Sequence, residues 1–269
     1  MAQPLPQPIA EVGCQIVAHE YYSLCYHEDH EQAAWVFYEL TQAEVKGGWN
    51  RSNDFREDQN ILTGSAALAD YRGSGFDRGH LAPAADMAFH QTAMSESFYM
   101  SNMSPQHPSL NRGTWKKLEG QVRKWAYARN ALWVASGPVF KKNLGTIGTN
   151  AVTVPGMYYK VLLDTAAHTT IAFLMPNQKC KGSVYDYVVP VDSVEAVTNI
   201  DFNSHLPDEE EVEMERSKNT DDWPLTEVYI EKFSGKNGTT AKRCKGTTNA
   251  GNQCKRRTKN ASGRCWQHE

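Results

Sequence analysis

The segment Thr114–Arg129 admits one regular structure, and it limits what the rest of the chain can be. Stepping about 100° per residue from Trp115 puts Leu118, Val122, Trp125 and Ala126 in a stripe roughly 100° wide, the pattern of a helix lying on a core. Lys116, Lys117, Gln121 and Lys124 take the opposite side. Glu119 and Arg123 fall about 40° and 80° from Trp115, at the margin of the apolar stripe. Two ionisable groups at i, i+4 on such an edge are either a mutual surface ion pair or the wall of a site.

Around this helix the chain reads as strands and loops. The run AAWVFYEL from Ala33 to Leu40 is rich in aromatic and β-favouring residues, and Ala131–Ser136, Tyr158–Leu163 and Thr169–Leu174 read as further strands closed by Gly, Pro, Asp or Asn. Residues 1–10 read as a lead-in. Asn53–Arg78 reads mostly as polar loop ending at Gly73 and Gly75. Residues 205–222 form an acidic loop or short helix, and 232–241 a linker. The expected organisation is therefore a main domain over 1–231, that linker, and a small module over 242–269.

No stretch approaches the eighteen or so uninterrupted apolar residues a membrane span needs, and the first thirty residues lack a charged start followed by an apolar run. Either the protein works in the cytoplasm where it is made, or it is exported, periplasmic or secreted, after a signal is trimmed. The net charge of −3 conceals a division. From Lys232 onward there are ten Lys/Arg against the single acid Glu269, so the tail carries about +9 and the body about −12. Catalysis on a polyanion needs positive charge at the phosphate more than a basic surface everywhere. Of the six cysteines, Cys14 and Cys25 are either a disulfide or two thiols, and Cys180 is left without a partner in the body.

Four features fall within 47 residues: Asp77-Arg78-Gly79-His80, Ser101-Asn102-Met103-Ser104-Pro105-Gln106, Asn111-Arg112-Gly113 before Trp115, and Glu119 with Arg123. Taken singly each has an ordinary explanation: a loop histidine, a helix-capping asparagine, a helical ion pair. Together they offer what phosphodiester cleavage requires. A neutral histidine can take a proton from water. A carboxamide oxygen can hold a hydrated magnesium ion, and arginines match phosphate oxygens with forked donors.

GFDRGH at 75–80, PAADM at 83–87, FYMSNMSPQ at 98–106, NRGTWKKLE at 111–119 and Arg123 resemble the DNA/RNA non-specific endonuclease family of Serratia-type nucleases and endonuclease G. The resemblance runs from about Trp35 to Tyr187, weakening toward Ile230. It implies an α+β chain with the ββα-metal fold, a central antiparallel sheet flanked by helices. In this fold a hairpin strand presents the histidine and the following helix the metal ligand. It implies a magnesium-dependent endonuclease, with manganese as a substitute, that cuts DNA and RNA to 5′-phosphorylated oligonucleotides. His80 would be the general base and Asn111 the direct magnesium ligand. Glu119 would orient water around the ion and share in protonating the leaving group, and Arg78 and Arg123 would stabilise charge at the phosphate. Arg51 in NRSNDFRED matches a third arginine, with Arg56 close enough to leave the register open. Asp77, Asn102 and Gln106 read as structural, and Arg112 as a solvated neighbour.

The tail carries CKGTTNAGNQCKRRTKNASGRCWQH, that is, C-x9-C-x10-C-x2-H. So basic a segment, with almost no apolar residues, can fold only if something replaces a core: either it is a disordered tail with incidental cysteines, or, as the spacing points to, a structural zinc sits on Cys244, Cys254, Cys265 and His268. Its basic residues suggest phosphate contacts. A rival reading is a retired nuclease scaffold that binds nucleic acid through this tail, and another is a phosphodiesterase of small nucleotides. A homodimer stays open.

Overall fold

The run Ala33–Leu40 is apolar at both parities, so a strand there must be covered on both faces. In the computed structural model it is the middle of a ten-residue strand, and the chain builds a seven-stranded sheet around it. The structure describes residues 5–8, 13–216, 218, 220–225, 227–228, 230, 242–248, 251–258, 263–264 and 268. It forms two compact units, Met1–Ser234 and Gly235–Glu269. The expected linker at 232–241 lies outside the described residues.

The elements that matter below are, in chain order, β1 (Cys14–Ala18), β2 (Ser23–His27), β3 (Gln32–Thr41), β4 (Asp77–His80), β5 (Met103–Gln106) and α1 (Lys116–Arg129). They continue as β6 (Ala131–Val139), β7 (Met157–Asp164), β8 (Thr169–Pro176), β9 (Val188–Val189), α2 (Val191–Thr198) and α3 (Asp208–Glu215). The large sheet runs β9-β8-β7-β6-β3-β2-β1, with every neighbouring pair antiparallel. The four strands and the helix expected from sequence are present, each strand a residue or more longer. The acidic segment contains the helix α3.

Both faces of the sheet are covered, as the parity requires. Val36, Tyr38, Leu40, Val134, Tyr158, Leu162 and Phe173 share one core with Leu118, Val122, Trp125 and Ala126 of α1. Trp35, Phe37, Ala135, Tyr159, Val161 and Ala172 share the other with Val191 and Val194 of α2, together with Ile200 and Phe202. Gln121 is buried rather than on the solvent side. It lies about 40° from Trp125 around the helix. Along that flank the chain returns: Trp125 Nε1 donates to the Pro224 carbonyl at 2.7 Å, and the fully buried Trp223 meets Trp125 edge-on at 5.4 Å. A helical wheel carries no information about a segment a hundred residues away.

Cys14 and Cys25 are joined as a disulfide across the edge hairpin β1–β2. Closing a loop of this size stabilises a fold by about 2–3 kcal/mol through the unfolded chain. Among the described residues no helix is long and apolar enough to cross a membrane.

Strands β4 and β5 form a separate two-stranded ribbon in the register Asp77↔Gln106, Arg78↔Pro105, Gly79↔Ser104 and His80↔Met103. Buried hydrogen bonds tie the ribbon to the large sheet. Ser104 donates to Gln32 of β3. Tyr158 Oη of β7 donates to the Pro105 carbonyl at 2.9 Å, and Asn177, just after β8, donates to the same oxygen at 3.0 Å. A buried polar group left unpaired costs on the order of 1–3 kcal/mol, so these bonds specify where the ribbon sits as well as holding it.

Candidate active site

Gly79 separates Arg78 from His80 because no other residue fits. A β-carbon there would lie 2.5 Å from Gln106 Oε1 and 2.7 Å from Gln106 Cβ across the ribbon. The segment after His80 is pinned by Asn102, fully buried, which accepts from the Ala82 amide at 2.8 Å and donates to the Ala82 and Ser97 carbonyls. Asn102 thus has the knitting role expected of it. Gln106 fills the space over Gly79 instead.

His80 is 9 % exposed and walled by edge-on contacts to Phe98 at 5.0 Å and Phe55 at 5.9 Å. Burial, then the charges of Arg51 and Arg78, push its imidazole down to about 3, against a hydrogen bond to the Arg78 backbone that favours the protonated ring. Nε2 has no hydrogen-bond partner among the described residues. With Nδ1 the ring atom left to the Arg78 backbone, the depressed pKa favours a neutral ring that keeps its lone pair on Nε2.

The two aromatic walls also carry two of the arginines. Arg51 lies over Phe98 at 4.6 Å from the ring centre, and Arg78 over Phe55 at 4.1 Å. Stacking holds a guanidinium flat while leaving its edge available for hydrogen bonds. Arg51 also interacts electrostatically with Glu119, so it links the histidine to the helix. Arg56 goes elsewhere, to Asp54, the Ser95 carbonyl and the Tyr99 ring. Arg51 therefore shares the Phe98 ring with His80 and acts on its charge, whereas Arg56 is engaged by Asp54, Ser95 and Tyr99.

Asn111 lies in a π-helical turn over Leu110–Trp115 that kinks at Gly113 and leads into α1. Its Nδ2 donates to Asp77 Oδ2 at 2.9 Å, and Arg112 grips the same carboxylate with two bonds. Burial alone would raise the Asp77 carboxyl, but these bonds and the charges of Arg112 and Arg78 hold it below the usual carboxylate range. Asp77 therefore stays ionised and fixes the amide, leaving Oδ1 as the group Asn111 can offer. Arg112 is exposed yet not merely solvated.

Glu119 and Arg123 do not form the simple helical ion pair that their spacing allows. Arg123 binds Asp86 at 2.7 Å, and Asp86 also accepts from Tyr38 Oη at 2.8 Å. Burial pushes the Glu119 carboxyl up to about 7, opposed first by the charge of Lys160. Lys160, in the middle of β7, is 1 % exposed, its ammonium has no hydrogen-bond partner among the described residues, and it faces the Trp115 ring at 5.3 Å. Burial lowers its pKa, while Glu119 and Asp86 raise it. An unpaired buried ammonium costs several kcal/mol, so the core alone would favour an apolar side chain there. What Lys160 provides is a counter-charge to Glu119 and Asp86.

The structure thus brings His80, Arg51, Arg78, Glu119 and Arg123 into one charged cluster through shared aromatic and electrostatic contacts, with Asn111 joined to the same ribbon through Asp77. Asp86, Lys160, Phe55 and Phe98 carry no role in the sequence reading. Asp86 sits inside the PAADM segment already singled out. Lys160 had a signal of its own, a charge in the middle of the otherwise apolar run MYYKVLL. Among the described residues no group of three or more potential His, Cys, Asp or Glu metal ligands gathers around Asn111. In the second unit Cys244, Cys254 and His268 converge, and Cys265 lies outside the described residues.

Residues 6–209 match the model of the DNA/RNA non-specific endonuclease family. The chain is 37 % identical over 205 residues to human mitochondrial endonuclease G, covering 70 % of this chain and 69 % of that protein. It is 35 % identical over 206 residues to nuclease C1 of Cunninghamella echinulata var. echinulata, covering 70 % of this chain and 82 % of that one. A crystal structure described as the EndoG/EndoGI complex superposes with a TM-score of 0.68 at 31 % identity, covering 74 % of this chain and 90 % of that one. With its sheet, ribbon and helix in place and most of its length matched, the chain belongs to the DNA/RNA non-specific endonuclease family and is a nucleic-acid hydrolase.

Proposed function

We propose that the Met1–Ser234 unit cuts DNA and RNA by a magnesium-dependent hydrolysis that leaves 5′-phosphorylated oligonucleotides, with His80 as the general base. The observation that carries this reading is the neutral imidazole of His80, its Nε2 unpartnered, beside two stacked arginines. A water oxygen bonds to phosphorus while its proton passes to Nε2. The P–O3′ bond breaks, and the 3′ oxygen leaves with a proton that Glu119, whose carboxyl retains one up to about 7, is suited to give. Cleavage on that side keeps the phosphate on the 5′ end. Arg51, Arg78 and Arg123 neutralise charge on the crowded phosphorus, and contacts of this kind carry no base information.

Asn111 suits a magnesium ion. Such an ion keeps most of its water and needs few protein ligands, and the donor here is a hard carboxamide oxygen oriented by Asp77. Bound there, magnesium would neutralise charge on the phosphate and on the departing oxygen, and manganese would serve in its place. The basic tail adds sequence-independent phosphate contacts, a component of binding that weakens with salt.

Plasmid DNA and a structureless RNA should both be degraded with magnesium or manganese and spared by chelator, with phosphate on the 5′ ends of the products. Degradation of neither polymer, or products bearing 3′-phosphates, would contradict the reading. His80→Ala should fold normally and lose a factor of about 10²–10⁴ or more in turnover, with no recovery at high magnesium. Asn111→Ala should recover part of its loss as magnesium is raised. If the two variants respond alike to the metal, the division of labour is wrong. Arg51→Ala should lower turnover by about 10²–10³, while Arg56→Ala stays within a few-fold of wild type. The reverse ranking would move the third arginine to Arg56.

A further inference from the structure

The last unit, Gly235–Glu269, has almost nothing from which to build a core. Among its described residues the buried hydrophobic cluster is Cys244 and Cys254 alone, 0 % and 4 % exposed. Yet the backbone is knit around them. Lys242–Arg243 pairs antiparallel with Arg257–Thr258, the Cys244 amide donates to the Arg256 carbonyl at 2.8 Å, and the Cys254 amide donates to the Gly246 carbonyl at 2.8 Å. Segments this short and basic do not bury enough apolar surface to offset the entropy of ordering them, so a non-hydrophobic staple is required.

The side chains at the centre supply the donors for one. A sulfur each from Cys244 and Cys254 and a ring nitrogen of His268 lie within 4.8 Å of one another. Cys244 Sγ and His268 Nδ1 are 3.3 Å apart. Bonds of about 2.3 Å to sulfur and about 2.0 Å to nitrogen, set at a tetrahedral angle, would separate those atoms by about 3.5 Å. The Gly246 amide donates to Cys244 Sγ at 3.3 Å, a bond that favours a thiolate over a thiol. Gly246 is itself required there, because a β-carbon at that position would run into the His268 ring.

We propose that Cys244, Cys254 and His268 hold one zinc ion that takes the place of a core in this unit, with Cys265 as the fourth ligand assigned from the sequence spacing. Tetrahedral coordination by three thiolates and one imidazole is a closed structural arrangement with no position left for a substrate. The ion is separate from magnesium in the nuclease unit: sulfur and imidazole select zinc, whereas the Asn111 oxygen selects a hard cation. The family match ends at residue 209, so the site is an addition to the matched nuclease rather than part of it.

The test is metal content of the full chain, purified without chelator and dialysed against metal-free buffer. One zinc per chain is expected. Cobalt exchanged into the same protein should show thiolate-to-metal charge transfer and the visible bands of a tetrahedral ion. Cys244→Ser, Cys254→Ser, Cys265→Ser and His268→Ala should each weaken zinc binding by at least about 100-fold, while Asn111→Ala leaves it unchanged. Absence of stoichiometric zinc, or a Cys244–Cys254 disulfide in the purified protein, would overturn the site. A cysteine variant that binds zinc as tightly as wild type would overturn the ligand set. None of these readouts depends on nuclease activity.

Discussion

The four-residue pairing of Asp77–His80 with Met103–Gln106 is the constraint from which the rest of the catalytic arrangement follows. It holds because Gly79 leaves room for Gln106, and because Ser104 and Pro105 are bonded to Gln32, Tyr158 and Asn177 in and beside the large sheet. At one end of the strand Asp77 reaches the turn before α1 and takes hold of Asn111 and Arg112. At the other end His80 is enclosed by Phe55 and Phe98, and the same rings support Arg78 and Arg51. A slip of one residue would reverse which side chains face the site.

Charge is distributed by locality. The body carries a large excess of acid, yet the groups around His80 are arginines fixed on aromatic rings, and two of the nearby acids are accounted for: Asp77 by Asn111 and Arg112, Asp86 by Arg123 and Tyr38. Glu119 is the exception. It sits in a buried setting where Lys160 opposes the effect of burial, which leaves its carboxyl near neutrality and able to change protonation state during a reaction. A net-charge argument cannot see this, since an enzyme can bind a polyanion locally with a body that is acidic overall.

Much of this was legible in the residues. The aromatic and β-favouring run AAWVFYEL marked a strand, and the stripe from Trp115 to Ala126 marked a helix lying on a core. The ordered motifs marked His80, Asn111, Glu119 and Arg123 as a group, because no fold-building reason calls for that combination at those spacings. What stayed hidden depended on contacts distant in sequence. Arg51 was separated from Arg56 only by its approach to Phe98, 47 residues on. The hairpin from Cys14 to His27, its disulfide, and the strap at Trp223 over α1 have weak local patterns and become evident only when their partners are in place. Lys160 took no part in the sequence reading, because a charge inside an apolar run gains meaning only once the carboxylates of Glu119 and Asp86 are placed beside it.

The central claim is that residue 80 presents a neutral imidazole with its lone pair on Nε2, fixed by burial, by Arg51 and Arg78, and by the bond to the Arg78 backbone. Long-range proton–nitrogen correlation spectra of the protein with labelled histidine, assigned by comparison with His80→Ala, read that state directly. The account predicts a single tautomer for His80, protonated on Nδ1 and bare on Nε2, unchanged between about pH 5 and 8, where an ordinary histidine titrates. A ring that gains a proton in that interval, or that carries its hydrogen on Nε2, would contradict it.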